Sequence, residues 1–347
     1  LAQPHAPKFA TILPTADPGW LSLHTEEILE PTLPIVDPHH HLWDSPRVPR
    51  YLQEEFSADL AVGHNVIATV FAECTESYRE DGPERLKPLG ETEFVVAFAK
   101  EAANAPEGDR GVCKGIIGRA DLLEGASVEE VLQMHKDLGQ GRWRGIRQST
   151  AHDETGTVRT TARTPPAGVL MDPKFREGFE KLVALGMTFD SWVYHPQLGE
   201  VADLAASYPD ANIILDHVGG PIGAGAYEGK RDEVFAEWKT GIHQVAAQPN
   251  VSCKIGGLGM KLGGFRFETL PQPASSKDLA AAWKPYVETC IEAFGADRCM
   301  FESNFPVDMI TCTYGTLWNT FKRLASGCSA DEKAALFAGT AQRVYSV

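Results

Sequence analysis

The chain holds 347 residues, 43% of them apolar, 23% charged and 9% aromatic, which is ample material for a large core and excludes wholesale disorder. Lys and Arg number 32 against 47 Asp and Glu, and the resulting charge of −15 repels phosphate backbones and anionic lipid, so no general nucleic-acid or membrane-surface partner is expected. The longest apolar run, 66–72, is far too short to cross a bilayer.

At roughly 150 residues per domain, this length suits two domains or one α/β barrel. The seven cysteines form no CxxC pair and read as small buried hydrophobes in a reducing compartment. No basic stretch followed by an apolar one opens the sequence, so no secretory signal is expected in it, and the expected location is the cytoplasm.

Residues 1–32 are proline-rich and lack a sustained period, which predicts an N-terminal arm or lid. From 33 to 347, short apolar runs alternate with helical periodicity, the signature of repeated βα units. Strands are expected at 33–39, 66–73, 112–119, 145–148, 188–194, 213–216, 251–254 and 299–302, and eight strands close a (β/α)8 TIM-type barrel. Between them, Ser127-Val-Glu-Glu130 reads as a capping box. Asp172-Pro173 reads as an N-cap with proline at the first helical position. The periodic stretch 277–294 ends at Gly295. Long irregular stretches at 44–63, 149–171, 219–230 and 255–275 follow strands. In a parallel barrel they emerge on one face and together build a pocket, which points to an enzyme.

The strongest chemical signal is Ile35-Val-Asp-Pro-His-His-His-Leu-Trp-Asp44 at the end of the first strand. Strand period places Asp37, His39 and His41 on one face and His40 on the other. Paired imidazoles suit a divalent transition metal or a pair of hydrogen-bonding groups around a carbonyl, and equally a structural cluster. The glycine clusters Gly219-Gly220 and Gly256-Gly257-Leu-Gly259 lack dinucleotide or P-loop spacing and read as pocket turns.

With this motif, Gly145-Ile-Arg147, Tyr194-His-Pro-Gln-Leu198, Leu215-Asp-His-Val-Gly219 and Met300-Phe-Glu-Ser-Asn-Phe-Pro306 follow in order. Together they make the chain resemble the amidohydrolase-2 branch of the amidohydrolase superfamily, which includes hydrolases of pyrone dicarboxylates, sulfomuconolactones and sugar lactones. The resemblance implies that His39, His41 and His195 hold zinc or manganese in metal-using members, metal-free activity being the alternative. It implies that His217 polarises the substrate carbonyl or adds a ligand. It also implies a barrel that pairs into homodimers in some members.

One departure stands out. Members end the eighth strand with Gly-Ser-Asp, whose aspartate takes a proton from water, whereas this chain has Glu302, Ser303 and Asn304. An amide is no general base. Asp308, on the following loop, is the expected replacement, with Glu302 a structural charge paired to Lys254, although the reverse assignment stays open. Arg147 offers a fork for a substrate carboxylate or a salt bridge to Asp121 or Glu73. Glu73 itself stands near the expected site as a substrate contact or a further ligand. Tyr78, Arg79, Trp143 and Tyr314 read as substrate contacts or as packing groups.

Three activities fit these residues: opening of a carboxylated lactone, metal-dependent non-oxidative decarboxylation of an aromatic or muconate-type acid, and, given Asn304, a binding protein or isomerase on a barrel without hydrolysis. The expected partner is a small anionic substrate.

Overall fold

The computed structural model describes residues 16–44, 50–105, 110–160 and 164–347. Eight strands, β1 (Pro34–His40), β2 (Asn65–Ala72), β3 (Gly115–Gly118), β4 (Trp143–Arg147), β5 (Thr188–Ser191), β6 (Asn212–Leu215), β7 (Val251–Ile255) and β8 (Cys299–Phe301), form one parallel sheet in sequential order. The ring closes just beyond β8: Asn304 donates its N–H to the His39 carbonyl at 2.9 Å, and His41 donates to the Phe305 carbonyl at 2.7 Å. The seam of this (β/α)8 barrel therefore lies where the histidines stand.

Helices α1 (Gln53–Leu60), α2 (Leu89–Ala103), α3 (Val128–Leu138), α4 (Pro173–Ala184), α5 (Leu198–Ser207), α6 (Arg231–Ala246), α7 (Ser276–Phe294) and α8 (Tyr314–Leu324) follow the strands in turn. The starts of α4 and α7 follow from local chemistry, since Asp172 accepts the Lys174 N–H and Ser275 accepts the Asp278 N–H. The expected capping box at Ser127 does not form. A preceding 3-10 turn (Leu122–Ser127) has already brought Ser127 to helical angles, and its hydroxyl donates to the Glu124 carbonyl at 2.8 Å.

Two apolar layers result. The larger packs the outward faces of the strands, such as Phe71, Ile116, Phe189 and Phe301, against the helices. The smaller fills the barrel floor with Val36, Ala68, Val70, Ile117, Ile214 and Met300, closed from below by the C-terminal helix α9 (Thr340–Tyr345). The described part of the arm is tied to the outside of the barrel: Glu26 accepts from Ser276 and Asn319, and Lys322 donates to the carbonyls of Leu29 and Glu30. Residues 1–15 of the expected arm lie outside the described residues. No helix among the described residues is long and apolar enough to cross a membrane.

Candidate active site

A register shift in β1 between Asp37 and His40 breaks simple alternation. His39 and His41 still face each other, as strand period predicts, with their Nε2 atoms 3.3 Å apart. Asp37, expected beside them, turns away: it accepts the Ser303 N–H at 3.0 Å and the Tyr314 hydroxyl at 3.0 Å. His40 points outward as expected, stacked on Phe56 and bonded to Thr69. His41 donates from Nδ1 to the Ala72 carbonyl at 2.8 Å, which leaves its Nε2 as a lone pair. Burial first, and then the nearby cations Lys254 and Arg147 respectively, hold the pKa values of His39 and His41 well below the ordinary imidazole range, so both are neutral at pH 7.

His217 completes the group, its ring centroid 4.6 Å from that of His39. Its backbone is in the left-handed region at φ 54°, followed by Val218 at φ 50°. A β-branched residue there is strained, and the surroundings must impose the shape. Glu302 does so by accepting both His217 Nδ1 at 2.6 Å and the His217 N–H at 3.1 Å. The glycine cluster after β7 makes this possible: a Cβ on Gly256 would meet Glu302 at 2.4 Å, and one on Gly257 would meet His217 at 2.6 Å. The expected pocket turns are thus close-approach positions.

The carboxylates divide sharply. Burial raises the proton affinity of Glu302, but His217 and His39 outweigh it and hold the group at about 2. Burial pushes Asp308 up to about 7, against the field of His217 and the hydrogen bonds it accepts from Asn304 Nδ2 at 2.8 Å and the Gly259 N–H at 3.0 Å. Glu302 does not pair with Lys254 as the sequence suggested. Lys254 reaches instead to Asp190 at 2.6 Å, Asp216 at 3.3 Å and His39 Nδ1 at 3.2 Å, while Glu302 is taken by His217 and His39.

Arg147 meets Glu73, not Asp121. Its Nε donates to Glu73 Oε1 at 3.0 Å, another edge reaches the Glu73 carbonyl, and Nη1 lies 3.1 Å from His39 Nε2. The expected open fork is therefore largely spent on Glu73, which serves to hold the arginine. Tyr314 is fully buried with its hydroxyl committed to Asp37, so it cannot be a substrate contact. Arg79 pairs with Glu93 at the surface and Trp143 stacks on His135, while the Tyr78 hydroxyl is buried without a hydrogen-bond partner.

His195 is not brought to the other histidines. Strand β5 stops at Ser191, which carries His195 into a 3-10 turn. There its N–H donates to the Gly220 carbonyl, its Nδ1 accepts the Ile222 N–H at 3.4 Å and its Nε2 lies 3.7 Å from Glu237. Trp192 packs on His217 instead, centroids 4.7 Å apart, beneath a roof of Ala151, Val158, Tyr194, Ile222 and Leu262. Three of the four expected insertions contribute to that roof, while 44–63 carries α1.

The residues present fit a divalent cation, although not the expected trio. His39, Asp216 and His217 each offer a ligand atom within 4.8 Å of the others. Both Asp216 oxygens are buried without a hydrogen bond, with Lys254 at 3.3 Å and Arg147 at 3.9 Å as looser ionic neighbours. The two cations Lys254 and Arg147 face four carboxylates, Glu73, Asp190, Asp216 and Glu302, so the carboxylates outnumber them. Imidazole plus carboxylate is a donor set for zinc or manganese. Sequence reading missed Asp190, Asp216 and Lys254 as site members. The available signal was a charged side chain at the centre or end of an otherwise apolar strand, where burial demands a partner.

A parallel eight-stranded barrel with imidazoles and carboxylates gathered at the C-terminal ends of its strands defines the class of this protein. Residues 36–347 match the amidohydrolase family, and the chain belongs to it. It is 33% identical to an uncharacterised protein of Sinorhizobium fredii over 90% of this chain and 98% of that one. It is 26% identical to an L-fucono-1,5-lactonase of Burkholderia multivorans over 90% and 96% of the respective chains. An amidohydrolase of Burkholderia multivorans crystallised with bound zinc superposes with a TM-score of 0.69 at 22% identity, covering 90% of this chain and 99% of that chain.

Proposed function

We propose that this protein is a hydrolase that opens a lactone, with a carboxylated ring as the preferred substrate class. The observation that carries the reading is the pair of buried carboxylates around His217: Glu302, bound to its ring at 2.6 Å and kept ionised, and Asp308, held by Asn304 and Gly259 and raised to about 7. Environments that push two such groups apart assign them different tasks. Glu302 fixes the imidazole and its tautomer. Asp308 is able to take and return a proton near neutral pH.

In the reaction, water adds to the ester carbonyl carbon while Asp308 accepts its proton. The oxyanion forms beside His217 and the Nη1 edge of Arg147, the guanidinium supplying a hydrogen bond and positive charge. The ring C–O bond then breaks, and the Asp308 proton passes to the departing alkoxide, giving a hydroxy acid. A divalent ion, when held by His39, Asp216 and His217 beside His41, would supply Lewis acidity at the carbonyl. Asn304, at the position of the family's aspartate, acts by orienting Asp308. The lactonase name of a relative 26% identical supports this chemistry.

The test is a panel of pyrone carboxylates, sugar-acid lactones and simple lactones followed by acid release, with aromatic carboxylic acids assayed alongside for carbon dioxide. Ring opening by the parent, lost by more than about a hundredfold in Asp308→Asn, is expected. Carbon dioxide release without any ring opening would replace this reading with decarboxylation.

A further inference from the structure

Arg147 is 9% exposed, His217 4%, His41 3% and Asp308 1%, so a lactone ring able to touch all of them has to enter past the roof. Residues 219–230 follow His217 directly, lead into α6 and supply Ile222 to that roof. The Gly220 backbone lies against Trp192, where a Cβ would come within 3.1 Å of the indole ring, and Trp192 in turn packs on His217. Gly220 is at φ 55°, and Gly229, at the other end of the segment, is at φ 79° with open space around its Cβ position. Glycine at both ends leaves the backbone free to swing.

Burial fastens the segment at its base, and hydrogen bonds fasten it at its tip. Near Gly220, His195 donates its N–H to the Gly220 carbonyl at 3.1 Å and accepts the Ile222 N–H at 3.4 Å, and Ile222 is fully buried. Further out, the Tyr227 hydroxyl donates to Asp153 Oδ1 at 3.2 Å, the Ala226 N–H to Thr157 Oγ1 at 2.9 Å and the Gly223 N–H to the Leu262 carbonyl at 2.8 Å. Glu228 and Arg266 add an exposed ion pair at 3.0 Å, which counts for little. Asp153 stands ready for Tyr227, since the N–H groups of Thr155, Thr157 and Val158 already fix its carboxylate. Bonds of this kind exchange for water on opening at a small net cost each, so the tip releases first.

We infer that residues 219–230 are a lid over the candidate site, hinged at Gly220 and Gly229 and latched where Tyr227 meets Asp153. Opening lifts Ile222 from above Trp192 and admits a substrate, and closing shuts water out of the reaction. The test reads access to the site and holds whatever reaction the site performs. Diethyl pyrocarbonate modifies neutral imidazoles, and its rate at His217 and His41, followed at pH 7 by peptide mass spectrometry, tracks the open population. Tyr227→Phe keeps the ring against His195 and removes the bond to Asp153. Both site histidines should then react about tenfold faster, the worth of one hydrogen bond to a carboxylate. Thr157→Val removes the acceptor of the Ala226 N–H, should give about fivefold, and serves if the tyrosine variant does not fold. His135, fully buried on α3 and bonded to Thr92 on α2, is the internal control and should keep its parental rate. Parental rates at His217 and His41 in the folded variants overturn the inference. Acceleration of His135 in step with them does so too, because it marks general loosening of the fold. A parent whose His217 reacts as fast as free histidine also overturns it, since no lid is then shut.

Discussion

Glu302 and His217 are joined twice, by Nδ1 at 2.6 Å and by the backbone N–H at 3.1 Å, so one carboxylate fixes both the ring and the strained backbone that carries it. Glu302→Gln keeps the shape but weakens both bonds. A stability loss of roughly 2 kcal/mol is expected from the charged hydrogen bonds. Lactone hydrolysis should fall about a hundredfold, because His217 is no longer held in one orientation. Thermal denaturation and kcat measured on the same preparation check this, and a variant with parental kcat would remove Glu302 from the site.

The raised Asp308 carboxyl makes a pH prediction with a definite sign. In the unfolded chain the group releases its proton near 3.8, and in the fold near 7. The stability carried by the protonated form is complete below pH 4 and disappears as pH rises through 7. Asp308→Asn, which does not titrate, should therefore melt increasingly above the parent from pH 4 to 8 while losing hydrolysis. In the parent, kcat should rise with an apparent pKa near 7. A kcat profile flat from pH 5 to 8 would contradict the assignment.

Asn304→Asp restores the family's aspartate, yet it places a second carboxylate where Asn304 now donates to Asp308 at 2.8 Å. Two like charges at that distance do not both ionise. The variant should lose activity near pH 7, by roughly tenfold, with the rising limb of kcat moved to higher pH. A gain in hydrolysis would mean that Asp308 is not the base.

Gly257 sits at φ 65°, and a Cβ there would lie 2.6 Å from the His217 side chain. Gly257→Ala should cost about 1–3 kcal/mol and displace His217, lowering kcat far more than it raises KM. Gly141→Ala, also at positive φ but with open space around its Cβ position, controls for backbone strain alone.

The placement of His195 leads to a metal-content prediction. After reconstitution with zinc and removal of loose ion, elemental analysis of His195→Gln should give the parental stoichiometry, while His39→Gln and His217→Gln should lose the metal. Loss in His195→Gln would return it to the ligand set.

The order of βα units and all eight strands were legible from the chain, because periodicity and cap chemistry are local properties, and His39, His41, His217 and Asp308 stood out as candidates from short motifs. Boundaries were less so: β5 was expected to reach Tyr194 and stops at Ser191, which is why His195 was misplaced. The tertiary structure alone decided which charges meet. Lys254 takes Asp190 and not Glu302, Arg147 takes Glu73 and not Asp121, Asp37 turns to Tyr314 across the seam, and Tyr345 reaches Asp190 from 155 residues away. Pairing in a low-dielectric interior depends on depth and register around the closed barrel, and a one-residue bulge such as that in β1 reassigns every partner beyond it.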